Sequence, residues 1–157
     1  PPTEYMKPVG APSVQTPLLS TAFAPQPYNI WSSQRLLFSG RLQPRRSSPG
    51  AAGLLLFSDK SGTIPARGSL VCSSGVVVEI PRGHFGKIEG LTRLALEHDV
   101  LPFSSIVDED CRDILHIKLL NHSNRPYSVV KGASIAQLVI LKCCVPLVHR
   151  RESVWTQ

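Results

Sequence analysis

The chain has 157 residues, of which 18% are charged and 42% hydrophobic, and it carries a formal net charge of +6 with a pI near 9.5. The length suits one domain with a modest core, and the composition excludes a chain that is disordered throughout. The longest apolar runs fall far short of the roughly 20 residues that a membrane-spanning helix needs. The basic balance suits polyanionic partners such as nucleotides, nucleic acid or acidic protein surfaces.

The first 30 residues hold half of the chain's 14 prolines. Because proline lacks a backbone N–H donor, we expect residues 1–30 to be an extended arm or linker. A β domain is expected over residues 31–148 and a basic tail over 149–157. The four cysteines form no C-x-x-C pair, so neither a zinc ribbon nor a redox motif is expected. Four reduced, mostly buried thiols favour an intracellular site, cytoplasmic or nuclear. The short apolar runs predict no membrane partner.

Short apolar runs separated by glycine, proline, asparagine and serine follow from residue 35 onward. Regularly spaced short strands of this kind predict an all-β barrel or sandwich of the jelly-roll type. One segment, Gly90–His98, has apolar residues at helical spacing and predicts one short helix. The expected strands are Arg35–Arg41, Gly53–Phe57, Ser69–Ser73, Val76–Ile80, His84–Ile88, Ile114–Leu120, Tyr127–Val130 and Ile135–Leu141.

Two segments resemble signatures of the trimeric dUTPase family, which hydrolyses dUTP to dUMP and pyrophosphate. They read Ile-Val-Asp-Glu-Asp-Cys-Arg at 106–112 and Lys-Gly-Ala-Ser-Ile-Ala-Gln-Leu at 131–138. The resemblance covers residues 34–148 and implies a dUTPase-like β-clip fold and a homotrimer. Val139, Leu141 and Val145 are the candidates for packing at the threefold axis.

The resemblance also implies roles for single residues. Asp108 matches the aspartate that activates the attacking water as a general base. Thr92 matches a serine that donates to a phosphate oxygen, and Gln137 matches a glutamine that faces the phosphates. Arg93 stands where the family has a glycine. Its guanidinium is a candidate for binding phosphate, although it lies two positions after the place of the family's phosphate-binding arginine.

The third motif is expected to form the hairpin that reads uracil, with Ile106 among the substrate contacts. Within it, Cys111 replaces the tyrosine whose ring supports the deoxyribose, so discrimination against a ribose is expected to be lost.

Other positions depart further from the family pattern. Leu55 stands in place of the acidic residue linked to magnesium, which prefers oxygen ligands, and Leu91 in place of a phosphate-binding arginine. No glycine follows Gly132, so the glycine-rich closing arm is missing from this sequence. Since losing one preorganised donor costs on the order of 10²–10³ in rate, these departures predict a catalytically inactive dUTPase-like module used for protein interaction or regulation. Neither a protein-bound metal nor another cofactor is expected on this interpretation.

The alternative is an active dUTP diphosphatase working with Mg²⁺. Weak binding of a pyrimidine nucleotide fits either hypothesis. Nucleic-acid binding through the basic surface is a third hypothesis, but the sequence lacks an aromatic-basic recognition motif. The segment from Ile64 to Pro146 is also similar to the adenovirus early-region-4 first-frame proteins, which are dUTPase-derived regulators. A retroviral dUTPase segment cut from a polyprotein is an equal candidate source and agrees with a chain that starts at Pro1.

Overall fold

The computed structural model describes residues 35–151, and these form an all-β fold with one short helix. The fold class predicted from the sequence is therefore confirmed. The proposed N-terminal arm and residues 152–157 of the tail lie outside the described residues. In chain order the elements are β1 (Leu37–Gly40), β2 (Leu54–Phe57), β3 (Gly62–Ile64), β4 (Ser69–Ser73), β5 (Val76–Glu79), β6 (His84–Glu89), α1 (Thr92–His98), β7 (Val100–Pro102), β8 (Ser105–Val107), β9 (His116–Asn121), β10 (Tyr127–Val129) and β11 (Ser134–Lys142).

The strands pair into two larger sheets and two ribbons. The four-stranded sheet has the order β2-β11-β6-β8, and the three-stranded sheet has the order β4-β9-β7. The ribbons are β1-β5 and β10-β3, and every pairing is antiparallel. β11 is the longest strand and pairs on both sides, so it forms the centre of the larger sheet.

Alternating burial along the strands creates the core. In β6 buried and half-buried residues alternate over all six positions, as a strand with one face inward requires. Leu138 on β11 and Leu119 on β9 are fully buried, so both larger sheets contribute to one apolar interior. The described part of the chain contains no helix long and apolar enough to cross a membrane.

Three short strands were not predicted from the sequence: β3, β7 and β8. Each has three residues, which is too short to show alternation, and β7 ends in a proline, a residue that normally argues against a strand. Pro102 is tolerated because β7 is an edge strand of its sheet. The helix begins two residues later than expected, at Thr92, since Leu91 at its N-cap has an extended backbone conformation.

Glycine is required where β1 ends. Gly40 pairs with Val76 and has φ of +139°, and a Cβ at this position would lie 2.3 Å from the carbonyl oxygen of Gly75. No other residue type fits so close an approach. The chain then leaves β1 at Arg41 and runs toward β2.

Candidate functional site

The first and fourth family-like motifs lie side by side. The N–H of Ser58 donates to the carbonyl of Ala133 at 2.9 Å, and the N–H of Gly132 donates to the carbonyl of Ser58 at 2.7 Å. These two backbone hydrogen bonds join the end of β2 to the loop that opens β11. The loop geometry is therefore determined by backbone contacts and does not depend on the side chain at position 55.

Gln137 links this pair of strands to the second motif. Its Nε2 donates to the carbonyl of Gly90 at 2.8 Å. A Cβ at Gly53 would lie 2.3 Å from its Oε1, so glycine leaves the space that the amide occupies. The sequence predicted that Gln137 faces phosphates. In the structure its amide nitrogen donates to backbone, so Gln137 holds Gly90 beside β11, and its role toward phosphates stays a prediction.

A cleft of about 470 Å³ opens beside this junction. Thr92 and Ser134 bring two hydroxyl groups to it, and Arg93 brings a guanidinium. The Arg93 Nε lies 3.7 Å from Oε2 of Glu97, one helical turn away, and the Arg93 side chain is 75% exposed, so this pair is weak and easily exchanged for a stronger anion. The cleft is lined by Leu91, Thr92, Arg93, Leu94, Tyr127, Ala133 and Ser134.

The third motif forms a tight turn directly after β8. The Cys111 N–H donates to the carbonyl of Asp108 at 3.1 Å, and residues 111–115 form no strand against β8. Arg112 donates from Nη1 to the carbonyls of Glu109 and Cys111. Glu109 in turn accepts from the Gly83 N–H at 2.7 Å. The segment is thus stabilised mostly by its own polar contacts.

The three residues of this motif named from the sequence have different environments. Asp108 is exposed within the turn. Ile106 is 54% exposed on β8, opposite Lys87. Cys111 is half-buried and packs against the hydrophobic core.

Asp108 and the cleft of the same chain lie far apart. The pairing of β6 with β8 places Asp108 one residue past the Gly86–Val107 pair, whereas Gln137 pairs with Glu89 on the other side of β6. This corresponds to about 13 Å along the strands and nearly 10 Å across them, at about 3.3 Å per residue and 4.8 Å per strand spacing. A general base must come within hydrogen-bond reach of its water. One chain therefore does not bring Asp108 and the cleft into one site.

No group of three or more histidine, cysteine or acidic side chains among residues 35–151 is placed to hold a metal ion. The carboxylate nearest in sequence to Leu55, Asp59, accepts from the Ser73 hydroxyl at 3.0 Å and lies against Gly75, where β4 turns into β5. We therefore derive no chemical step through a protein-bound metal.

The thiols are all free, and one of them has a shifted pKa. Burial raises the pKa of the Cys72 thiol; a hydrogen bond with Ser58 opposes this shift, and the nearby Asp59 charge adds to it. Cys72 is therefore held in its protonated form within the core.

Comparison with protein families matches residues 42–156 to the dUTPase family. A Fowl adenovirus A serotype 1 protein named deoxyuridine 5′-triphosphate nucleotidohydrolase is 31% identical over 146 residues, covering 90% of this chain and 76% of the relative. The enzyme of the same name from Kluyveromyces lactis is 32% identical over 99 residues, covering 63% of this chain and 67% of the relative. For the Candida albicans relative the chain spans 61% of the relative's length.

Solved structures show the same fold at low identity. A mutant dUTPase from phage phi11 of S. aureus, described in connection with the coordination of a structural Mg(II) ion, has a TM-score of 0.69 at 19% identity and covers 76% of this chain and 98% of its own. The dUTPase of Staphylococcus bacteriophage 80alpha has a TM-score of 0.68 at 20% identity, covering 78% of this chain and 99% of its own.

These comparisons correct one prediction made from the sequence. The prediction of a catalytically inactive interaction module is wrong, because relatives that match most of the chain are named as nucleotidohydrolases.

Proposed function

The chain belongs to the dUTPase family, and from this premise we propose that it hydrolyses dUTP to dUMP and pyrophosphate. The main support for this proposal is the 31% identity with a viral deoxyuridine 5′-triphosphate nucleotidohydrolase over 90% of the chain. The preserved junction of β2, β11 and Gly90 supports it, because this junction shapes a cleft with hydroxyl and guanidinium donors.

In the proposed reaction Asp108 accepts a proton from the water that attacks the phosphate chain. The hydroxyls of Thr92 and Ser134 donate to phosphate oxygens. Arg93 exchanges its ion pair with Glu97 for a contact with the phosphates, whose negative charge its guanidinium offsets. Pyrophosphate is the leaving group. Magnesium is expected to travel with the triphosphate, since the described residues offer it no ligand cluster.

The site is proposed to form between copies of the chain in a homotrimer. The separation of Asp108 from the cleft supports this assembly, since Asp108 from one copy has to meet the cleft of another. Apolar residues near the end of the described chain are available for the contact: Leu141 is 40% exposed and Val145 is 84% exposed. With Val139 they remain the candidates for threefold packing. Sedimentation of the full chain as a monomer at micromolar concentration would contradict the trimer.

Release of pyrophosphate from dUTP in buffer containing Mg²⁺ tests the proposed activity. The wild-type chain is expected to release pyrophosphate. Asp108→Asn is expected to lower kcat by about 10²–10⁴-fold, the range for loss of a general base. The matched control is Asp110→Asn, which removes a second exposed carboxylate two residues away and is expected to keep most of the activity. No release by the wild type, or equal rates for the two variants, would refute the proposal.

A further inference from the structure

A second cleft lies beside the first and has only neutral and cationic residues around it. Its volume is about 270 Å³, and it lies where the chain passes from β1 to β2. Two of its side chains are arginines, Arg41 and Arg45, and no acidic residue of the described part of the chain lines it. The cleft is lined by Arg41, Leu42, Gln43, Arg45, Phe57 and Gly132. Its electrostatic character suits an anion.

Arg45 is held in position from two directions. Its backbone carbonyl accepts the Leu55 N–H at 2.8 Å, in a bridge that attaches this segment to β2. Its guanidinium lies over the Phe57 ring, with the central carbon 5.1 Å from the ring centroid. Stacking uses the flat face of a guanidinium and leaves its N–H edge available for oxygen acceptors. Both contacts of Arg45 are thus made by the chain itself.

Neither arginine is neutralised within the described residues. No salt bridge there involves Arg41 or Arg45, whereas Arg82 and Arg93 each face a glutamate. The adjacent Arg46 differs from both, because its Nη1 donates to the carbonyls of Ala51 and Ala52 and so stabilises the loop. Two cationic side chains without an anionic partner among residues 35–151 thus line the same cleft.

The two clefts share one loop. Gly132 lines the cleft that holds Arg41 and Arg45, and the next two residues, Ala133 and Ser134, line the cleft that holds Thr92. Consecutive Cα atoms are about 3.8 Å apart, so lining residues of the two clefts are close neighbours in this loop. Gly132 has φ of +83°, and a Cβ there would meet nothing within 4 Å, so the loop surface is open.

Resting on the proposed function, we propose that Arg41 and Arg45 bind the terminal phosphates of the nucleoside triphosphate. They supply, from the β1–β2 connection, the positive charge that Leu91 does not supply from the second motif. The ligand class is the pyrophosphate end of a nucleotide. Arg45 provides a guanidinium that is stacked on Phe57 and can bind oxygen atoms in a bidentate manner. Arg41, at the start of the same connection, provides a second positive charge.

Calorimetric titration of the full chain with two probes tests this assignment without requiring turnover. The probes are dUMP, which lacks the terminal phosphates, and a non-hydrolysable α,β-imido analogue of dUTP. Arg45→Gln and Arg41→Gln are each expected to weaken analogue binding by about 10-fold, the cost of one charged hydrogen-bond contact, and to leave dUMP binding unchanged. The matched control is Lys118→Gln, which removes one positive charge from β9, away from both clefts, and is expected to change neither affinity. Unchanged melting temperatures establish that the variants are folded.

Three results would overturn the assignment. In the first, both arginine variants bind the analogue as tightly as Lys118→Gln does. In the second, the arginine variants lose dUMP binding and analogue binding equally. In the third, the wild-type chain does not bind the analogue. A single-stranded DNA oligonucleotide bound more tightly than the analogue, and released by the same variants, would also overturn it in favour of nucleic acid. If the wild type fails to release pyrophosphate from dUTP but the arginine variants selectively lose the analogue, the proposed activity fails and the assignment of the arginines stands.

Discussion

β11 and the segment Ser105–Asp113 belong to neighbouring parts of the molecule, yet they are stabilised in opposite ways. β11 pairs with β2 on one side and β6 on the other, and Leu138 at its middle is fully buried. The segment Ser105–Asp113 has only the edge strand β8 on β6, and beyond it the polar contacts lie mostly within the turn itself. The family-like motif is intact in β11 and altered in the edge segment. Packing constrains the centre of the sheet, whereas the edge is free to change.

The strongest test of this contrast replaces one residue in each region. Leu138→Ala is expected to lower the free energy of unfolding by about 2–5 kcal/mol, because it leaves a cavity in a packed core. Ile106→Ala on β8 removes a side chain that is already 54% exposed and is expected to cost less than about 1 kcal/mol. Urea unfolding monitored by circular dichroism measures both. Equal losses for the two variants would show that the edge is packed as tightly as the centre.

A smaller effect is expected from the polar link at Gln137. Gln137→Met keeps the volume but removes the donor to the Gly90 carbonyl, so we expect a loss of about 1–2 kcal/mol from the carbonyl left without its partner. Ser105→Ala is the control at the edge, where the exposed hydroxyl has no hydrogen bond to a described residue, and its cost is expected to stay within about 0.5 kcal/mol. If Gln137→Met is as stable as Ser105→Ala, then Gln137 does not hold Gly90 in place.

The smallest effect concerns the pH dependence of stability. Because burial raises the pKa of Cys72 in the folded protein, the folded chain keeps this proton at a pH where the unfolded chain releases it. Stability is therefore expected to fall as the pH rises through the ordinary thiol range toward the raised pKa. Cys72→Ala should reduce the slope of this fall, and Cys144→Ala, at an exposed thiol, should leave it as in the wild type. Thermal melting across alkaline pH measures the slope. A wild-type slope equal to that of Cys72→Ala would contradict the shift.

The regular parts of the fold were predictable because their signals are local. The strand Ser69–Ser73 was predicted with its observed bounds, and the helix was predicted from apolar spacing that places Leu94 in the core. The conformation after Cys111 was not predictable from the third motif, since strand pairing depends on tertiary contacts and residues 111–115 form no strand.

The candidate site was predicted only in part, for a related reason. The sequence identified Thr92 and Arg93, and both line the cleft. It missed the link from Gln137 to Gly90, because a side-chain bond across 47 positions leaves no pattern in the sequence. It also missed Arg41 and Arg45, which become neighbours of Gly132 only when β2 pairs with β11. Motif matching therefore did not identify residues that are brought together only by folding.

The distance between Asp108 and the cleft of its own chain has a consequence for mixtures of chains. In the proposed trimer, a chain with Asp108→Asn still has an intact cleft, and a chain with an altered cleft still has its Asp108. When the two variants form mixed trimers, some sites combine the intact cleft of one variant with Asp108 of the other. Two variants that are silent alone are therefore expected to complement one another, and a single defective copy in a cell does not inactivate every site of the assemblies it joins.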